Sequence, residues 1–119
     1  MDEDLAARQR HRSRVSHVTK VHVSRKAHAG IRRCYAYLYI RSQSAAERAR
    51  DTIFDAFKIL EDFPRHGRPY IPIDAEFPPE PDLRELVIKG GYVALYRYIP
   101  ARNTVTIIAF KHGREEDYK

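Results

Sequence analysis

Two amphipathic helices in immediate succession are the feature that most constrains the fold of this sequence. Over residues 25–41 an apolar side chain recurs every three or four positions, and a second stripe with the same spacing covers residues 46–60. Pro64 ends the second stripe, because proline cannot donate a helical hydrogen bond. The short polar link between the stripes predicts an antiparallel helical hairpin with one apolar face to bury.

Capping serines predict where the two helices begin. Ser24 comes directly before the first stripe, where its hydroxyl can accept a backbone N–H of the first turn. Ser44 and Glu47 have the spacing of a capping box, in which Ser44 accepts from the Glu47 amide and the Glu47 carboxylate reaches back to Ser44. We therefore expect Ser44 to cap the second helix.

The remaining segments have the two-residue period of strands. Residues 18–24 alternate before the helices, and residues 83–88, 92–98 and 104–110 form three strands after them. Gly90 and Gly91 supply the positive backbone angles of a tight hairpin turn. The sequence predicts an α+β domain with an N-terminal strand, the two-helix antiparallel hairpin and a three-stranded antiparallel meander. Both helices pack on one face of the sheet, and we expect function on the partly open opposite face.

Two segments are expected to lie outside this regular structure. Residues 1–17 combine an acidic start with four arginines and offer little to bury. We expect them to form a disordered basic tail before a single domain at residues 18–119, although a nucleic-acid arm or an extension in front of a natural start at Val18 is also consistent. Residues 66–81 contain five prolines and predict a stiff, exposed loop.

Charge and cysteine content restrict the partners and the compartment. A formal net charge of +6 favours acidic partners, although lysine and arginine also simply keep a small domain soluble. Cys34 is the only cysteine, so no internal disulfide can form, and we expect a cytoplasmic protein. The apolar runs are too short to span a bilayer, so no membrane partner is expected. His22 and His28 lack metal-ligand spacing, and we expect neither a metal nor a cofactor.

Several short motifs follow one another along the chain. They are F-P-x-x-G-R-P from Phe63, R-E-L from Arg84, G-Y-x-x-x-Y-R from Gly91 and a C-terminal motif similar to H-G-x-R at His112. Each is weak alone, but in this order and spacing they resemble the RelE/ParE superfamily of type II toxin–antitoxin toxins. The resemblance covers nearly everything after residue 17 and implies the same α+β fold.

The superfamily contains two kinds of toxin, and this sequence resembles the ParE kind more closely. RelE-like members are ribosome-dependent messenger-RNA endonucleases that place lysine and arginine on the open sheet face, where they stabilise the charge developing during cleavage. Here Leu86 and Val93 occupy two positions at which that pattern has basic residues. The resemblance therefore implies a ParE-like toxin that inhibits DNA gyrase as a protein inhibitor, with no catalytic residues.

The alternative is a RelE-like endonuclease. His112, Arg114 and Tyr118 resemble the His/Arg/Tyr close of some nucleolytic members, and a histidine beside an arginine can do acid–base work. Under that interpretation these three residues are catalytic. Under the ParE-like one, His112 only hydrogen-bonds at a strand end, Arg114 is solvated and Tyr118 is frayed. A plain RNA-binding module is a third interpretation, supported by the net charge alone.

A partner-binding surface is predicted at Arg84, Tyr96, Arg97, His112 and Arg114. An arginine on a strand can bind a carboxylate or phosphate with two nitrogens, although for Arg84 a structural ion pair with Asp82 or Glu85 is an equal alternative. Tyrosine stripes on strands more often pack against helices. Under either kind of toxin the resemblance implies growth arrest, plasmid stabilisation and a cognate acidic antitoxin that folds on binding. Operator DNA would be contacted only through that antitoxin.

Overall fold

The computed structural model describes residues 18–71, 82–115 and 118, and within them it places the helices and strands in the predicted order. These elements are β1 (Lys20–Val23), α1 (Arg25–Arg41), α2 (Gln43–Asp62), β2 (Arg68–Pro69), β3 (Leu83–Ile88), β4 (Tyr92–Ile99), a 3-10 turn (Pro100–Arg102) and β5 (Thr104–His112). The tail predicted at residues 1–17 and most of the predicted loop, residues 72–81, lie outside the described residues.

The five strands form one mixed sheet in the order β1-β5-β4-β3-β2. β1 pairs parallel with β5, and the other pairings are antiparallel. The predicted α+β architecture is confirmed, but the sequence predicted four strands rather than five. The additional strand, β2, lies inside the predicted irregular loop and pairs with Arg84 and Glu85 of β3. It is only two residues long, too short for an alternating pattern to indicate it.

A single apolar core lies between the helical hairpin and the sheet in the described part of the chain. Both helices and strands β3 to β5 contribute to it through buried side chains that include Ile31, Ile53, Phe57, Leu60, Leu86, Tyr92, Tyr96, Ile107 and Phe110. In β1 the predicted alternation is confirmed, because Val21 and Val23 pack against this core while Lys20 and His22 are exposed. One face of the sheet is therefore covered by the helices.

A single residue, Ser42, joins the two helices. Its N–H donates to the Leu38 carbonyl (2.8 Å) at the end of α1, and its hydroxyl accepts from the Ala45 N–H (3.1 Å) at the start of α2. The capping box predicted at Ser44 and Glu47 is therefore wrong, and Ser44 lies within the first turn of α2. The helix begins earlier because the backbone is extended at Ser42 (φ −164°, ψ 111°), the conformation that an N-cap requires.

The cap at Ser24 and the turn at Gly90 and Gly91 are both confirmed. The Ser24 hydroxyl accepts from the Ala27 N–H (3.1 Å), and the two glycines have φ angles of 101° and 89°. β4 and β5 extend beyond their predicted ends, and a bulge between Leu95 and Tyr96 shifts their pairing. The bulge interrupts the two-residue period within β5, where the adjacent residues Ala109 and Phe110 are both buried.

α1 makes its closest approach to the sheet at Gly30. A Cβ atom on this residue would lie 2.2 Å from the backbone oxygen of Phe110 in β5. Because a contact that short does not occur, only glycine allows α1 to pack at this distance. This packing positions the next two turns of α1 beside the end of β5.

Replacing Gly30 with alanine is expected to lower the free energy of unfolding by about 1–3 kcal/mol, the usual cost of overpacking. A loss of stability would be informative, because alanine favours a helix over glycine by about 1 kcal/mol and would stabilise α1 if there were room for its Cβ. Urea denaturation followed by circular dichroism measures the change, with the exposed Ala29→Ser as the control. Equal or greater stability of the Gly30→Ala protein would contradict the close packing.

The Ser42 cap is tested by comparing two alanine substitutions only two positions apart. Ser42→Ala is expected to lower the free energy of unfolding by about 1 kcal/mol, because the Ala45 N–H loses its acceptor. Ser44→Ala is expected to change it by less than about 0.5 kcal/mol, since Ser44 is exposed inside the helix. The same urea denaturation measures both changes. A larger loss of unfolding free energy in Ser44→Ala than in Ser42→Ala would support the predicted capping box instead.

Candidate functional site

The predicted site residues are divided between the two faces of the sheet. Arg84 and Tyr96 are register partners on the helix side, and the ring of His112 also lies on that side, against the buried Tyr92. Arg97 follows Tyr96 in β4, so its side chain turns to the open face, where it is half-buried. These residues therefore do not form one continuous surface.

Tyr96 and Arg84 hold the loop after α2 against the sheet. Tyr96 is completely buried; its hydroxyl donates to the Pro64 carbonyl and accepts from the Gly67 N–H, both at 2.8 Å. Burial raises the pKa of this hydroxyl. Arg84, with 18% of its side chain exposed, donates to the Gly67 carbonyl (2.8 Å). Contrary to the prediction, neither residue is available to a partner, because both are used to fix this loop.

A second set of contacts ties the same loop to the start of β3. Arg65 binds the two carboxylate oxygens of Asp82 at 2.9 and 3.1 Å, and its guanidinium carbon lies 4.9 Å from the Tyr98 ring centroid. The hydrogen bond from Arg65 lowers the pKa of Asp82. Arg84 also lies 3.5 Å from Asp82, which is the structural ion pair considered for it above. The charges at this end of the sheet thus stabilise the fold.

On the open face the buried carboxylate of Glu85 is the centre of a polar cluster. Arg68 binds one of its oxygens (2.6 Å), and the Tyr118 hydroxyl donates to the other. The Tyr118 ring packs edge-on against Tyr70, with 6.4 Å between centroids, and the Lys111 ammonium lies 5.2 Å from its centroid. Burial and the Glu85 carboxylate raise the pKa of Tyr118 well above its usual range. Tyr118 therefore keeps its proton and covers part of the open face.

A groove of about 480 Å³ lies where the C-terminal half of α1 faces the start of β4 and the end of β5. We call it the α1 groove. Its apolar lining comes from Tyr37, Leu38 and Tyr92, and its basic lining comes from Arg33, His112 and Arg114. Cys34 also lines it, and burial raises the pKa of that thiol.

Hydrogen bonds fix the turn after β5 at one edge of the α1 groove. Nδ1 of His112 accepts from the Arg114 N–H (3.1 Å), and the His112 ring packs edge-on against Tyr92 with 5.3 Å between centroids. The Glu115 carboxylate accepts from the His112 N–H (2.7 Å) and pairs with Arg33 of α1 (2.8 Å). His112 and Glu115 therefore attach this turn to the helix.

His112, Arg114 and Tyr118, the residues of the endonuclease alternative, lie in two places. His112 and Arg114 line the α1 groove, whereas Tyr118 binds Glu85 on the open face. Among the described residues that line the groove with His112 there are two arginines, and one of them, Arg33, is paired with Glu115. The arrangement favours binding to a partly apolar, acidic ligand over chemistry at a phosphate.

Sequence reasoning missed Arg33, Tyr37 and Glu115 as groove residues. Arg33 and Tyr37 are four positions apart in α1, and this spacing places them on one helix face beside the buried stripe. The sequence shows this spacing, but it does not show that this helix face lies beside the end of β5. Glu115 gave no signal, because its contact with Arg33 joins positions 82 residues apart.

Neither a metal site nor a membrane span is found in the part of the chain that the structure describes. No group of three or more His, Cys, Asp or Glu side chains there could hold a metal ion. None of the described helices combines the length and the apolar composition needed to cross a bilayer.

Comparison with known proteins identifies the family. No curated protein matches the sequence. A solved structure described as the chromosomal ParDE TA system from P. aeruginosa is similar in fold, with a TM-score of 0.63 and 21% identity over 81% of this chain and 97% of that chain. A family model described as the ParE toxin of the type II toxin–antitoxin system, parDE, matches residues 21–117, which include both helices, strands β2 to β5 and all but the first residue of β1. The chain therefore belongs to the ParE toxin family of type II toxin–antitoxin systems.

Proposed function

We propose that this ParE-family toxin arrests growth by inhibiting DNA gyrase and that a cognate antitoxin neutralises it. The observation that carries the proposal is the use of the charged residues around the sheet. Arg65, Arg68 and Arg84 are bound to carboxylates or backbone carbonyls of the protein itself. Arginines held in this way position a loop and do not form a preorganised site for a reacting phosphate. A toxin with such a surface acts by binding a protein.

One of the two positions that distinguish the kinds of toxin supports the same proposal. Val93 is half-buried on the open face, between its register partners Val87 and Lys111. Its aliphatic side chain cannot compensate negative charge in a phosphodiester transition state, whereas a protein inhibitor needs no such charge and aliphatic side chains suit its contacts. Leu86 is 4% exposed and packs in the core beneath the helices, so it lies on the covered face and does not bear on the choice.

Neutralisation by an antitoxin is supported by the charge of the chain. A protein with a formal net charge of +6 attracts an acidic segment, and coupled folding lets such a segment cover a large surface. We assign contact with operator DNA to the antitoxin and the site of action to the cytoplasm, where gyrase acts.

Purified gyrase provides the direct test. With excess toxin, gyrase is expected to lose its supercoiling activity and to accumulate cleaved DNA, which agarose gels after protein digestion reveal. Cells that express the toxin are expected to induce the SOS response and to form filaments. Prior addition of antitoxin is the control and should restore supercoiling. Normal supercoiling with a molar excess of folded toxin would contradict the proposal.

A RelE-like endonuclease is the second candidate, favoured by His112 and Arg114 lying together in the α1 groove. We expect messenger RNA to remain intact in a translating extract that contains the toxin, because Tyr118 lies on the other face of the sheet. Primer extension measures cleavage. Cleavage by the unsubstituted protein that disappears in the double variant His112→Ala, Arg114→Ala, but persists in Arg102→Ala, would establish the endonuclease instead.

A further inference from the structure

We propose that the α1 groove is the docking site for an acidic segment of the antitoxin, which packs a large apolar side chain against Tyr37 and Leu38 and places a carboxylate on Arg114. The inference rests on the antitoxin partnership proposed above and assigns it to a specific surface. It moves partner binding away from Arg84 and Tyr96, which are used inside the fold.

The size and lining of the groove fit apolar side chains of a partner. Its volume of about 480 Å³ lies within the range of pockets that take a drug-sized ligand, which leaves room for more than one side chain. Tyr37, at its mouth, is 60% exposed, and the next turn of α1 presents Ile40 at 83% exposure. Large apolar side chains exposed side by side on one helix are typical of a surface that a partner covers.

The charge around the groove selects an acidic partner. Arg114 is exposed at its edge, and the Arg41 guanidinium lies 3.8 Å from the Tyr37 ring centroid. Among the described residues that line the groove, Glu115 is the one acidic residue, and it is already paired with Arg33. A carboxylate that approaches the mouth of the groove therefore meets an excess of positive charge, whereas a basic segment is repelled.

The contact between Arg33 and Glu115 shows that this edge of the groove binds carboxylates. Two guanidinium nitrogens of Arg33, Nε and Nη2, lie 3.0 and 2.8 Å from one oxygen of Glu115. A carboxylate of the antitoxin can join the same cluster through the exposed guanidinium of Arg114.

A second copy of the chain is a poorer occupant of the groove. In a symmetric dimer the same patch meets itself, so Arg41 and Arg114 of one copy would face the basic groove of the other. Like charges brought together in this way oppose association. The charge pattern thus distinguishes an acidic partner from self-association.

The test measures the affinity of purified toxin for the small protein encoded beside its gene, by isothermal titration calorimetry. Two groove substitutions, Tyr37→Ala and Arg114→Glu, are compared with two matched controls outside the groove. Tyr39→Ala removes another exposed tyrosine of α1 (45% exposed), and Arg102→Glu reverses an exposed charge in the 3-10 turn. Thermal unfolding confirms that all four variants are folded.

The groove variants are expected to raise the dissociation constant roughly tenfold or more each, as central interface residues do, while the controls stay within about twofold. The loss in Arg114→Glu is expected to shrink at high salt, because the contact is electrostatic. Equal affinities for all variants, or equal losses in groove and control variants, would overturn the groove assignment alone. If the neighbouring protein does not bind unsubstituted toxin, the antitoxin partnership itself fails.

Discussion

The close packing of α1 on β5 at Gly30 fixes how the helical hairpin sits on the sheet. With a Cβ position only 2.2 Å from the Phe110 oxygen, the helix lies directly on the sheet and its buried stripe meets the core. The same packing sets the next two turns of α1, with Arg33 and Tyr37, beside the turn after β5. The α1 groove is therefore a consequence of how the helical hairpin is held on the sheet.

The arginines of this protein divide into two groups by what they bind. One group binds acceptors within the protein and fixes the loop after α2 to one end of the sheet: Arg65 binds Asp82, Arg68 binds Glu85 and Arg84 binds the Gly67 carbonyl. Arg41 and Arg114 are exposed around the α1 groove at the other end. Net charge does not distinguish these groups, because it counts a guanidinium bound to a carbonyl in the same way as a solvated one. A positive balance therefore predicts the type of partner but not the place where it binds.

Local periodicity predicted the elements of the fold well and its long-range contacts poorly. The first helix and the first strand of the meander were predicted with the bounds that α1 and β3 have, since each carries one uninterrupted pattern. The choice between Ser42 and Ser44 as the cap of α2 depends on where α1 ends, and the sequence around the two serines does not show this. Tyr96 was predicted on the surface because alternation does not show that its hydroxyl meets Gly67, 29 positions away. The site depends on such contacts, so its residues were predicted less well than the fold.

In the proposed complex the antitoxin controls the toxin through the α1 groove rather than through the open sheet face. A crystal structure of the chain bound to its antitoxin tests this most directly. We expect a carboxylate of the antitoxin at hydrogen-bonding distance from Arg114, and an apolar side chain packed against Tyr37 and Leu38. An antitoxin segment that lies only over Glu85 and Tyr118 on the open face, with the groove left to solvent, would contradict the account.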